Sequence, residues 1–158
     1  YKHKLKLIEK GAKRLGINII ETCLRDGASA DKELPSADRI LCDVPCSGLG
    51  VLSRKPEIRY KDDLIDTDLA DIQYKILCES AKYLKKGGKL VYSTCTLNPQ
   101  ENNKNTAKFL AEHNDFEGVE LELPPELKRA FDEKPYEITL MPHTFDGDGF
   151  YIAVLTRR

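Results

Sequence analysis

Apolar residues recur at helical spacing near the start of the chain: Leu5, Ile8, Ala12 and Leu15 share one face of a helix predicted over 4–15. Lys13 and Arg14 in its last turn, with Gly16 behind them, form an ordinary helix stop. Residues 17–24, rich in Ile and Thr, read as a strand that Asp26-Gly27 ends. A second strand is predicted from Arg39 to Val44 and stops at Pro45, and residues 53–66 read as a long loop. Leu69, Ile72, Ile76 and Leu84 predict a helix over 68–84, with Lys85 and Lys86 complementing its dipole and Gly87-Gly88 terminating it. Residues 89–93 read as a short buried strand. Asn98-Pro99-Gln100-Glu101 is a helix start, with Asn98 as cap, Pro99 at the first helical position and Glu101 placed to reach back; that helix runs to about His113. Two late strands are predicted near 116–123 and 150–156.

Helix and strand alternate through residue 110, which predicts an α/β fold of the doubly wound, Rossmann-like class with a parallel sheet. In such folds ligands bind beyond the carboxyl ends of the strands. Chemistry is therefore expected at Asp26, at Asp43-Val44-Pro45-Cys46 and at Ser93-Thr94-Cys95-Thr96.

Composition narrows the class. Apolar residues make up 41% of 158, ordinary for a globular domain, and the sequence offers no apolar run of the ~18–20 residues a membrane span needs. The formal net charge is −1, so a nucleic-acid partner would need a local basic patch or a separate basic module. A chain that opens on Tyr1 rather than Met is expected to be part of a longer protein. The five cysteines, Cys23, Cys42, Cys46, Cys78 and Cys95, are odd in number and contain no C-x-x-C pair. That argues against a disulfide framework and against a metal site, and for reduced thiols in the cytoplasm, with Cys23 and Cys42 as core residues.

Cys46 and Cys95 each follow a predicted strand, and one crossover helix joins the two strands, so both thiols are expected to face one crevice. Each is plausible as a small apolar filler at a tight turn. The surroundings favour chemistry instead: Asp43-Val44-Pro45-Cys46-Ser47-Gly48 combines a carboxylate, a rigid proline, a thiol and a glycine hinge. Ser93-Thr94-Cys95-Thr96 leads into an electropositive helix N-terminus, where a thiol is expected to ionise more readily.

These two stretches resemble the signature motifs of the Sun family of RNA cytosine carbon-5 methyltransferases. Met141-Pro142-His143 and Asp146-Gly147-Asp148-Gly149-Phe150-Tyr151 resemble that family's closing motif. Residues 50–60, from Gly50 to Tyr60, look most like the bacterial branch acting on 16S ribosomal RNA. The likeness covers nearly the whole chain, which would be the C-terminal part of one catalytic domain.

The resemblance implies an S-adenosylmethionine cofactor, an RNA partner and a specific division of labour. Cys95 would be the nucleophile that adds to carbon 6 of cytosine. Cys46 would be the base that removes the carbon 5 proton and releases the enzyme. Asp43 would hydrogen-bond the pyrimidine ring and lie close to the cofactor, and Asp26 would contact the cofactor's adenine amino group. DNA cytosine methyltransferases follow a similar scheme with the Pro-Cys thiol as nucleophile, but have no need of Cys95. For Asp26 the plainer alternative is a turn aspartate before Gly27. Arg54, Lys55, Arg59 and Lys61 are candidate phosphate contacts or simply a solvated loop, and His143 either shapes the site or is structural.

Two departures from the family pattern matter. The glycine-rich loop that cradles the cofactor's methionine end has no counterpart, since Gly87-Gly88 follows a helix instead of opening one. Core strands of the fold are expected to be missing at the N-terminus, which would leave an exposed sheet edge, weak cofactor binding and a tendency to self-associate. The competing readings are a non-catalytic RNA-binding module on the same fold and a family member acting on transfer RNA.

Overall fold

In the computed structural model, residues 2–29, 34–60, 67–127, 129, 133–144 and 146–158 are described. Helix α1 (Lys2–Arg14) leads the chain. Strand β1 (Ala37–Asp43) pairs in parallel with β2 (Leu84–Thr94), and α2 (Thr67–Ala81) makes the crossover between them. Helix α3 (Asn103–Glu112) follows, then β3 (Phe116–Gly118), β4 (Glu137–Leu140) and β5 (Phe150–Arg157).

The sheet order is β1-β2-β5-β3, with β4 also paired to β5. The parallel pairing expected of the alternating part of the chain holds for β1 and β2, and the late strands add antiparallel neighbours to it. Strand β5 runs antiparallel to β2 on one side and antiparallel to β3 and β4 on the other. Among the described residues between β4 and β5 no helix turns the chain back over the sheet, so the last strands meet as antiparallel neighbours.

Burial explains the elements. Gln73, Leu77 and Ala81 form one stripe of α2 at spacing four, and all three are buried. In β5 the buried Tyr151, Ala153 and Leu155 alternate with half-buried neighbours. They meet Leu90 and Tyr92 of β2 and Phe109 of α3 in the core. Tyr92 and Tyr151 pack edge to face at 6.2 Å, and Phe109 meets Phe116 the same way at 5.0 Å.

Several boundaries differ from the pattern-based ones. The crossover helix ends at Ala81, not at Leu84, and Lys85 to Gly88 bulge out of β2. The register shows it: Ala37 faces Leu84, but Arg39 already faces Lys89, and Gly87 has φ 73°. Helix α3 begins only at Asn103, after a turn over 99–102. The expected long loop contains two 3-10 helices, Leu49–Val51 and Pro56–Tyr60; its remainder, 61–66, lies outside the described residues.

Residues 17–24 form no strand. Their Ile and Thr content suits a pleated ladder, but a strand also needs a partner edge, and here the segment lies outside the sheet. Its apolar residues stay exposed: Ile19 is 88% accessible, and Leu41 on β1 is 71% accessible. Helix α1 buries none of its residues. Strand β1 ends the sheet, so among the described residues its outer edge carries no ladder partner. No helix among the described residues is long and apolar enough to cross a membrane.

Candidate active site

Strands β1 and β2 run side by side in the same direction, so their carboxyl ends open at one place. Asp43, the last residue of β1, stands opposite Ser93 in the ladder, and Ser93 Oγ donates to Asp43 Oδ1 at 3.3 Å. Cys95 follows directly on β2. Cys46 follows β1 by three residues, and its sulfur lies 3.0 Å from that of Cys95. Both thiols are half-buried. Three of the residues singled out in the sequence, Asp43, Cys46 and Cys95, therefore meet at the strand ends.

Gly48, with φ 77°, turns the chain immediately after Cys46. Gly50 then donates its N–H to the Cys95 carbonyl at 3.0 Å, and its own carbonyl accepts from Gly149 N–H at 2.7 Å. The two thiol motifs and the closing motif are thus linked through the backbone of one glycine. A Cβ at Gly50 would overlap the Gly149 carbonyl oxygen and sit 2.8 Å from that of Cys95. Arg54 adds an ion pair to Asp148, and Ser53 Oγ donates to the same carboxylate at 3.3 Å.

Burial is the main force on the Cys46 thiol, and it pushes the pKa from 9.0 up to about 12. The hydrogen bond and the charge of Cys95 act in the same direction, while the backbone N–H groups of Gly48 and Cys95 oppose them. Burial therefore favours the protonated form of Cys46, and either sulfur can donate across the 3.0 Å contact. Cys42, deeper in β1, is also pushed up, to about 11, chiefly by burial. Of the two cysteines expected in the core, Cys42 is buried and Cys23 is exposed; the segment that carries Cys23 leaves the sheet and takes the thiol with it.

Asp26 occupies a turn of its own. Its carboxylate accepts from Ala28 N–H at 3.0 Å and from Ser29 Oγ at 3.4 Å, and it is exposed. His143 is exposed in the turn after β4. Lys55 and Arg59 are exposed at and beside the Pro56–Tyr60 turn, Arg54 is committed to Asp148, and Lys61 lies outside the described residues. Among the described residues, no group of three or more His, Cys, Asp or Glu side chains is placed to hold a metal.

One functional element went unread in the sequence. Glu101, 1% exposed, reaches across to the loop that carries Cys46. Its carboxylate accepts from Ser47 N–H at 2.9 Å and from Ser47 Oγ at 2.6 Å. The spacing of Asn98 and Glu101 signals a helix start, and part of that reading holds: Asn98 Nδ2 donates to Glu101 at 3.0 Å, and Asn98 Oδ1 accepts from Gln100 N–H at 3.1 Å. Nothing local signals the partner 54 residues away.

Fold and site together define a methyltransferase domain of the Rossmann-like class. The chain superposes on the crystal structure of PH0851 with a TM-score of 0.90 at 30% identity, over 99% of this chain and 35% of that one. It superposes on NSun6 from Pyrococcus horikoshii, solved with SFG, with a TM-score of 0.85 at 29% identity, over 99% of this chain and 39% of that one. The chain belongs to the 16S rRNA methyltransferase RsmB/F family, whose sequence model matches residues 1–156. The probable ribosomal RNA small subunit methyltransferase B of Bacillus subtilis is 42% identical over 164 residues, covering 100% of this chain and 36% of that protein. The chain thus spans about a third of the length of these relatives.

Proposed function

We propose that this chain carries the catalytic thiols of an enzyme that methylates carbon 5 of cytosine in RNA, with 16S ribosomal RNA as substrate and S-adenosylmethionine as methyl donor. The observation that carries it is the 3.0 Å approach of the Cys46 and Cys95 sulfurs at the ends of two parallel strands. One thiol can serve as a structural filler. Two thiols converging from strand ends, beside a carboxylate, suit a reaction that needs both a nucleophile and a base.

Carbon 5 of cytosine is a weak nucleophile. Cys95 gives its proton to solvent, and addition of its thiolate to carbon 6 breaks the ring's double bond and moves its electron pair to carbon 5. Bound S-adenosylmethionine supplies the methyl group that carbon 5 takes. Asp43 hydrogen-bonds the pyrimidine and stabilises the adduct. Cys46, its own proton lost to solvent, then removes the carbon 5 proton, the double bond re-forms and Cys95 leaves.

The order of the thiols rests on the likeness to the Sun family, in which the cysteine matching Cys95 attacks and the one matching Cys46 releases. Once Cys95 is bonded to carbon, its hydrogen bond and charge no longer add to the burial that raises the Cys46 thiol, and the N–H groups of Gly48 and Cys95 oppose that burial. The cofactor fits this chain in part. The carboxylates of Asp43 and Asp26 are exposed acceptors for its polar groups, and the SFG of the NSun6 structure is an S-adenosylmethionine analogue. Relatives that are ribosomal RNA small subunit methyltransferases favour ribosomal RNA, and the exposed Lys55 and Arg59 are available for its phosphates.

The test is Cys46→Ala in the full-length protein, incubated with S-adenosylmethionine and undermethylated ribosomal RNA and run on a denaturing gel. A protein band carrying RNA, absent in Cys46→Ala/Cys95→Ala, supports the assigned roles. Methyl transfer without such a band overturns them.

A further inference from the structure

We propose that Glu101 is a positioning residue that holds Cys46 within reach of the base released from Cys95. This rests on the thiol roles proposed above. The carboxylate is buried and its partners are neutral. It accepts four hydrogen bonds: two from Ser47, one from Gln73 Nε2 at 2.8 Å and one from Asn98 Nδ2 at 3.0 Å. These donors come from the loop after β1, from α2 and from the loop after β2. Among the described residues the buried carboxylate is satisfied by converging neutral donors, with no cationic side chain bonded to it.

The donors bracket Cys46. Ser47 is its neighbour on one side, and Gln73 Nε2 also donates to the carbonyl of Pro45, its neighbour on the other, at 2.8 Å. Ser47 Oγ lies 2.7 Å from Thr96 Oγ1, next to Cys95. Gln73 Oε1 is buried without a partner among the described residues, where that side chain is engaged through its donors. An acceptor-only group is required at the centre: a glutamine there would turn its own N–H groups against at least one donor.

The two thiols depend on this carboxylate unequally. Cys95 follows Thr94, which is still in the ladder opposite Tyr151, so the sheet anchors it. Cys46 lies three residues beyond the last β1 rung, Asp43 opposite Ser93, and relies on Glu101 through its neighbours. Loss of Glu101 should therefore free the base more than the nucleophile.

The experiment is Glu101→Gln in the full-length protein with Cys46 intact, assayed with S-adenosylmethionine and undermethylated ribosomal RNA, with Cys46→Ala run beside it. The expected result is that Glu101→Gln traps the RNA adduct as Cys46→Ala does, about tenfold above the parent, because a misplacement of about 1 Å can cost up to ~100-fold in rate. Turnover should fall while KM for RNA stays within about twofold, since the RNA-binding surface is untouched. Ser47→Ala, which removes one of the four donors, should trap less adduct in the same direction and guards against a Glu101→Gln protein that does not fold. Reduced methylation with a lowered melting temperature and no adduct in either variant, while Cys46→Ala traps it, overturns the positioning role. Absence of adduct in Cys46→Ala itself overturns the thiol assignment, and this inference with it.

Discussion

Gly149 donates its backbone N–H to the carbonyl of Gly50 at 2.7 Å, across 99 positions of sequence. Gly50 in turn donates to Cys95, so the closing motif buttresses the thiol site through main chain alone. There is no room for a side chain between these strands of backbone. Gly50→Ala should destabilise the fold by about 3 kcal/mol, the upper range for an overpacked site, because the obstructing atoms are carbonyls that cannot rotate away. Urea unfolding measures it; a loss below about 0.5 kcal/mol, the size of a surface substitution, would show that the three motifs are not tightly linked.

Oxidation offers a direct check on the thiol geometry. The Cys46 and Cys95 sulfurs need to close only from 3.0 Å to the ~2.05 Å of a disulfide. Diamide should take one hydrogen from each thiol, becoming the hydrazine as the S–S bond forms. Peptide mapping should find Cys46 joined to Cys95 ahead of any pair involving the buried Cys42. Predominant modification of Cys23 or Cys78, with Cys46 and Cys95 left reduced, would contradict the approach of the two sulfurs.

Much of this site was legible from sequence because its parts obey local rules. The strand that stops at Pro45 and the strand that precedes Cys95 were placed by short apolar runs, and one crossover helix between them makes them parallel neighbours. Strand β4, Glu137–Leu140, was not legible: it is four residues long, and its identity comes from pairing with β5. Residues 17–24 show the converse, a strand composition without a partner. Lys85 to Gly88 carried a helix-stop signal, but the helix had already ended at Ala81, and the glycine serves a bulge. Glu101 read as part of its own helix start, because spacing reports local capping and says nothing of Ser47.

Cofactor affinity should be low for this chain by itself. Among the described residues the positive-φ glycines are Gly16, Gly48 and Gly87, which serve a helix end, the thiol loop with its short 3-10 turn and a bulge, and none opens an α-helix. Asp26 and Asp43 alone offer little buried contact. Titration calorimetry with S-adenosylmethionine should give a millimolar constant, about −4 kcal/mol, or no measurable heat. A micromolar constant would mean that the residues present already form the site.

Alkaline pH should weaken the fold in a way that Cys46 makes visible. Its pKa rises from 9.0 in the unfolded chain to about 12 in the fold, and that of Cys42 to about 11. Above the unfolded value the native state keeps protons that the unfolded state has lost, so stability falls as pH rises. The contribution is complete below about pH 9 and is lost progressively towards the folded values. Cys46→Ala removes one of the raised thiols and leaves Cys42 and Cys78, so its urea midpoint should decline less between about pH 8 and pH 10.5 than that of the parent. Equal declines would show that Cys46 ionises in the folded chain as freely as in the unfolded one, and that burial does not hold its proton.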